Sequence, residues 1–264
     1  MDRWFVILST VFYFAALLRT IWLLRADRYR QVGFNAVSMA VGFALQTAFL
    51  TVRGHALGRC PITNLFEVLV FLAWSIALIY LAIGPTYRLS LMGAFTAPLV
   101  FAIQSVAILL PLDSAHATQH TVNRWLEFHA SISMIAYGAF ALACVAGAMY
   151  LVQERQLKTH QLHKVFSNLP PLPNLFSAMI RLLWLGFGLY TAGLASGFLT
   201  GQPLPRLKIA LAVAVWVIYG AILIARYAQS ATPKRVAAFS IFAFSAAVTL
   251  LWSIEFTAQT SLHR

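Results

Sequence analysis

Long apolar windows, separated by short polar stretches, recur along the whole chain. Eight can be marked out: Trp4–Leu24, Val32–Val52, Asn64–Ile83, Leu89–Leu110, His129–Leu151, Ala178–Leu199, Leu207–Ala225 and Val236–Phe256. Windows of about 20 residues suit roughly 30 Å of hydrocarbon at about 1.5 Å per helical residue. Lipid offers backbone groups no hydrogen-bond partners, so each window is predicted to be a helix. The expected fold class is all-α: a polytopic integral membrane bundle of about eight transmembrane helices, one domain over residues 1–264. No small-residue cleavage site precedes Arg25, so the first window is expected to be a retained anchor.

The connection between the fifth and sixth windows differs from the others. Gln153–Lys164 is polar, basic and helix-compatible, which predicts a short surface helix at the inner interface. Leu169-Pro170-Pro171-Leu172-Pro173 then predicts a turn before the sixth span, because proline fixes φ and lacks a donor.

Composition strengthens the membrane reading. Apolar residues make up 61% of the chain and charged residues 10%, against about 25% charged in soluble domains. The net charge of +12 does not point to nucleic acid, because the basic residues are scattered between apolar runs. They act instead as topology signals. In an eight-span arrangement twelve of the 19 Lys and Arg fall on one side and seven on the other, which favours both termini outside. The end of the fifth helix that bears His129 and the tail that bears His263 are then external. Cys60 and Cys144 are not expected to meet, and Cys-x-x-Cys-His, Walker and dinucleotide-binding glycine motifs are absent.

Histidines are the main chemical inventory. His129 opens the fifth window and His263 follows the eighth, both on the predicted outer face. Neutral imidazole is a good axial ligand for haem iron, and two facing each other would make a bis-histidine site. The plainer alternative makes His129 an interfacial residue bonded to a carbonyl and His263 part of a frayed terminus. His116 and His120 lie four apart in one loop with no third metal ligand evident, and His160 and His163 sit on the inner basic segment. His55, near Arg53 and Arg59, could meet an anionic group. Asn64 and Glu67 form an Asn-x-x-Glu capping box at the start of the third window. A carboxylate there is either part of that cap or a functional group in the membrane. Tyr137 follows His129 by eight residues, on the same helical face, where it lines a pocket or simply packs.

Cys60-Pro61-Ile62-Thr63-Asn64-Leu65-Phe66-Glu67-Val68-Leu69-Val70-Phe71-Leu72-Ala73-Trp74 resembles the P-x-x-N-L-Y-E-S-L-x-F-x-x-W helix of the cytochrome c assembly family, the CcsA/ResC group with its relatives HemX and YpjD. Leu126-Glu127-Phe128-His129, with Trp125 before it and Tyr137 after it, resembles the family helix whose histidine is an external haem ligand. Leu169–Pro173, Gly186-Phe187 and Gly193-Leu194-Ala195-Ser196-Gly197 are similar to its L-P-x-L … G-F … G-I-x-x-G stretch. Trp252 to Leu262-His263 is similar to its last helix, whose histidine is the second external ligand. The tryptophan-rich W-G-x-x-W-x-W-D signature is replaced by Gly201-Gln202-Pro203-Leu204-Pro205-Arg206. Ile224-Ala225-Arg226 stands where assembly members carry L-H-T-R, although Lys208 and Trp216 are kept.

The resemblance implies a haem-handling protein of a bacterial cytoplasmic membrane, related to cytochrome c assembly, that presents haem externally as a chaperone or relay rather than as an enzyme. Haem is the implied non-covalent cofactor, with His129 and His263 as ligands to its iron and Tyr137, Trp125, Asn64 and Glu67 as further binding residues. Implied partners are haem, other cytochrome c assembly subunits or tetrapyrrole-synthesis enzymes, and membrane lipid. The alternative is a HemX-like non-enzymatic regulator or scaffold of tetrapyrrole metabolism.

Overall fold

The structure is a computed structural model that describes residues 3–25, 33–62, 64–87, 92–110, 124–159, 171–201, 206–228 and 230–262, with side chains of the last helix described to residue 249. Among these residues it is built of eight helices: α1 Arg3–Arg25, α2 Gly33–Leu57, α3 Leu65–Tyr87, α4 Met92–Leu109, α5 Arg124–Thr159, α6 Leu172–Phe198, α7 Arg206–Tyr227 and α8 Pro233–Leu262. Six of them, α1–α3 and α5–α7, are long and apolar enough to cross a membrane, and α4 contributes a shorter apolar stretch, Phe95–Leu109. Large apolar side chains face outward, including Phe242 at 73% exposure and Ile224 at 69%. In water such a surface would aggregate, whereas in lipid it is the expected covering. The chain is a polytopic helical membrane protein.

Helix α5 is the axis of the bundle. Its segment from Ser133 to Tyr150 is buried at most positions, and it packs against α6 most extensively, then against α8 and α3. Small residues permit this closeness. A Cβ on Gly138 would stand 2.8 Å from the backbone carbonyl carbon of Ser75, so the α3 and α5 backbones approach each other closely there. Aromatic rings fill the α5–α6–α7 seam: Phe140 stacks on Tyr219 with centroids 3.6 Å apart and planes at 4°.

The N-terminal helices are joined by polar side chains. Tyr13 on α1 donates its hydroxyl to Oε1 of Gln46 on α2 (2.6 Å), and Gln46 Nε2 donates to Oε1 of Gln104 on α4 (2.8 Å). Gln104 Nε2 closes the ladder on α1 by donating to Ser9 Oγ and to the carbonyl of Val6. All three long side chains are fully buried.

Several element boundaries differ from expectation, α8 for one continuing six residues past Phe256 to Leu262. Helix α2 runs five residues beyond Val52 and stops at Gly58, whose φ of 63° suits glycine and lets the Gly58 and Arg59 amides turn back onto His55 and Gly54. Arg53, expected in a loop, is therefore helical. The segment from Gln153 to Thr159 is not a separate surface helix but the end of α5, which totals 36 residues and about 54 Å. Its polarity does not stop the helix, because Glu154 and Lys158 pair at 2.7 Å across one turn. Leu172 and Pro173 are likewise not a turn but the first residues of α6. Pro171 is the N-cap, and a proline in the first turn gives up an amide that has no intrahelical partner there.

Candidate functional site

Because α5 begins at Arg124, His129 lies in its second turn rather than at its entry. Helical spacing then divides the outer part of α5 into two faces. His129, Ser133 and Tyr137 share one, and Glu127, Ser131 and Met134 share another.

The first face meets α6 and α7. His129 Nδ1 lies 2.6 Å from the carbonyl oxygen of Gly193. A carbonyl only accepts, so Nδ1 carries the proton and donates it, leaving the lone pair on Nε2. Two glycines on α6 make room for this approach. A Cβ on Gly193 would stand 2.6 Å from Ser133 Oγ, and one on Gly197 would stand 3.0 Å from His129 Nδ1. Beside the imidazole are two cavities. One of about 250 Å³ is lined by His129, Ser133, Tyr137, Tyr190, Lys208 and Val215, among others. The second, about 120 Å³, shares His129, Leu194, Lys208 and Ala212 with it and adds Gly197 and Phe198. Tyr137 packs its ring edge-on to Tyr190 (5.8 Å, 89°), and Tyr190 donates its hydroxyl to the Ala212 carbonyl on α7 (3.2 Å).

The second face holds the α2–α3 loop. Glu127 accepts the backbone N–H of Cys60 at 2.9 Å, and Cys60 Sγ lies 3.4 Å from Ser131 Oγ. Burial pushes the Cys60 thiol up; the Ser131 hydrogen bond opposes this, and the charges of Glu127 and Glu67 add to the rise. A rise in that direction disfavours the thiolate that nucleophilic work needs. At the start of α3, Asn64 Oδ1 accepts the Glu67 amide at 2.8 Å, which is the expected cap. The Glu67 carboxylate, fully buried, accepts from Arg53 Nε at 2.9 Å.

Of the residues expected at a cofactor site, His129 and Tyr137 are brought together on one cavity wall. Trp125 is half exposed and edge-on to Phe128, and it lines neither cavity. Asn64 and Glu67 are buried at the α3 start and line neither cavity. His263 lies outside the described residues, as do His116, His120, His160 and His163. His55 Nδ1 donates to the Thr51 carbonyl of its own helix (2.8 Å). Ser133, Tyr190 and Lys208 beside His129, and Glu127 and Ser131 under the loop, are brought to these places by contacts between helices that local sequence does not show. The four-residue spacing of Gly193 and Gly197 was the usable signal for the α6 docking face.

Among the described residues no group of three or more His, Cys, Asp or Glu could hold a bare metal ion. One imidazole with a free Nε2 beside an apolar cavity instead suits a metal already held by another ligand, such as a macrocycle. The cavities are smaller than the roughly 300–1,000 Å³ of enclosed ligand pockets. They fit an edge or substituents of such a ligand, with the rest outside.

A multi-helix membrane bundle with a carbonyl-oriented histidine near one end defines the class to which the chain can be compared. The family described as Cytochrome C assembly protein matches residues 62–260, and the chain belongs to it. Protein HemX of Brevibacillus brevis is 27% identical over 259 residues, covering 96% of this chain and 92% of that protein. Cytochrome c biogenesis protein CcsA of Guillardia theta is 29% identical over 229 residues, or 75% of this chain and 74% of that one. With CcsA of Chlamydomonas reinhardtii the identity is 26% over 176 residues, and this chain spans about half, 48%, of that relative's length.

Proposed function

We propose that this chain serves cytochrome c biogenesis as a haem-handling membrane protein of the bacterial cytoplasmic membrane. In this reading His129 is one axial ligand at the external face, and His263, from the tail after α8, is the second. The observation that carries the reading is an imidazole that lines two cavities while Nδ1 is committed to the Gly193 carbonyl at 2.6 Å, the latter contact being one that a plain interfacial histidine would make as well. Histidines that bind metal characteristically donate their other ring N–H to such an acceptor, which fixes the tautomer and raises ligand basicity. Haem would supply the iron and the redox chemistry. The chain's own part is to orient the imidazole, offer an apolar edge site and keep water from it. Glu67 and Asn64 then serve the site indirectly, by fixing the start of α3. Other assembly subunits would be the partners in transfer.

The test is an absorption titration of the purified protein with haem. Wild type should give a six-coordinate low-spin spectrum, with His129→Ala and His263→Ala each converting or abolishing it. An unchanged spectrum in both variants would remove the pair as ligands. A second reading, a non-enzymatic regulator or scaffold of tetrapyrrole metabolism, is favoured by the near-complete coverage of the HemX relative and by the missing tryptophan-rich stretch at 201–206. Failure to bind haem under any condition would select it.

A further inference from the structure

Lys208 stands in the first turn of α7 and lines both cavities with His129. Their walls are otherwise mainly apolar, with Ser133, Tyr137 and Tyr190 as the remaining polar side chains apart from His129 itself. Each acidic side chain described is engaged elsewhere: Glu67 with Arg53, Glu127 with the Cys60 amide and Glu154 with Lys158. Among the described residues Lys208 accordingly makes no ion pair. Lys208 is exposed at these cavities, and an ammonium with no counter-charge among the described residues can receive an anionic ligand group there.

We propose that Lys208 is the anion-recognising residue of the His129 cavity, selecting a ligand with an apolar body and a carboxylate. This rests on the haem reading and deepens it: the carboxylate is a haem propionate, received by Lys208 while His129 faces the metal. The lysine then supplies selectivity for the acid form and the histidine supplies coordination. The two contributions are separable by experiment, because esterifying the propionates removes the charge and leaves the iron untouched.

Haem and haem dimethyl ester should be titrated, by absorbance at low ionic strength, into detergent-purified wild type, K208Q, K208R and H129A. A charge-assisted hydrogen bond lost from the complex predicts about 10-fold weaker haem binding by K208Q. K208R should recover most of that loss, and the ester should bind wild type and K208Q alike. Haem affinity should also fall more steeply with salt in wild type than in K208Q. Thermal unfolding of each variant separates folding defects from lost recognition. Equal haem affinity in wild type and K208Q, or an ester weakened by the same factor as haem, would overturn the proposal and leave Lys208 as a side chain that snorkels to the interface. If H129A alone abolishes haem binding, the haem reading survives that failure. A wild type that takes up neither compound overturns both.

Discussion

Arg53 and Glu67 meet where α2 and α3 join, and the pair shows what local sequence carries and what it omits. Asn64 as N-cap was legible, because a cap is a matter of three or four neighbouring residues. Local sequence alone leaves Glu67 open between cap and function. Its carboxylate is paired with Arg53, which comes within reach only because α2 extends to Leu57. Removing one partner of a buried pair strands the other charge, a loss of about 3–5 kcal/mol; Arg53, at 17% side-chain exposure, retains some access to solvent and lowers the expected loss toward the small end. Glu67→Ala should thus lower the melting temperature in detergent clearly, and Glu67→Gln, which keeps an acceptor oxygen, should lie between it and wild type. Melting of Glu67→Ala at the wild-type temperature would make the pair dispensable. The His129 tautomer was equally out of reach of the sequence, since its acceptor, the Gly193 carbonyl, is a backbone atom of another helix.

At the scale of elements, α5 was visible as an apolar run, but its two functional faces and full length were not. Apolar windows report where lipid begins, and a helix need not end there. Residues 124–128 and 152–159 stay helical on either side of the apolar run. The contact of α5 with α3 depends on Gly138, where an added side chain would meet backbone that cannot swing away. Gly138→Val should cost about 1–3 kcal/mol or more through overpacking, read as lower yield and melting temperature. Gly188→Ala on α6, with nothing within 4 Å of the added Cβ, serves as the control and should melt at or above wild type. Equal behaviour of the two variants would count against a tight α3–α5 seam.

For the whole molecule, the number and order of helices followed from hydrophobic length, yet which helix sits at the centre did not. In lipid the outward face is as apolar as the inward one: buried Val6 and Val11, which is 55% exposed, lie on the same helix. The orientation argued from basic residues predicts cytoplasmic signal from reporter fusions after Arg30, Lys164 and Arg235, and external signal after Arg264. A cytoplasmic C-terminus would separate His263 from the proposed site. The buried ladder of Tyr13, Gln46 and Gln104 bears on how the chain reaches the bilayer at all. During synthesis α1 and α2 emerge before α4, and Tyr13 can satisfy the oxygen of Gln46 at once. The amide nitrogen of Gln46 has to wait for Gln104, 58 residues further along the nascent chain. An unmet amide in hydrocarbon is costly, so the expected outcome is that the α1–α2 hairpin stays beside the insertion machinery until α4 arrives, which crosslinking of arrested nascent chains of increasing length checks. On that expectation, crosslinks from α1 and α2 are lost together, and Gln46→Leu should let them go earlier.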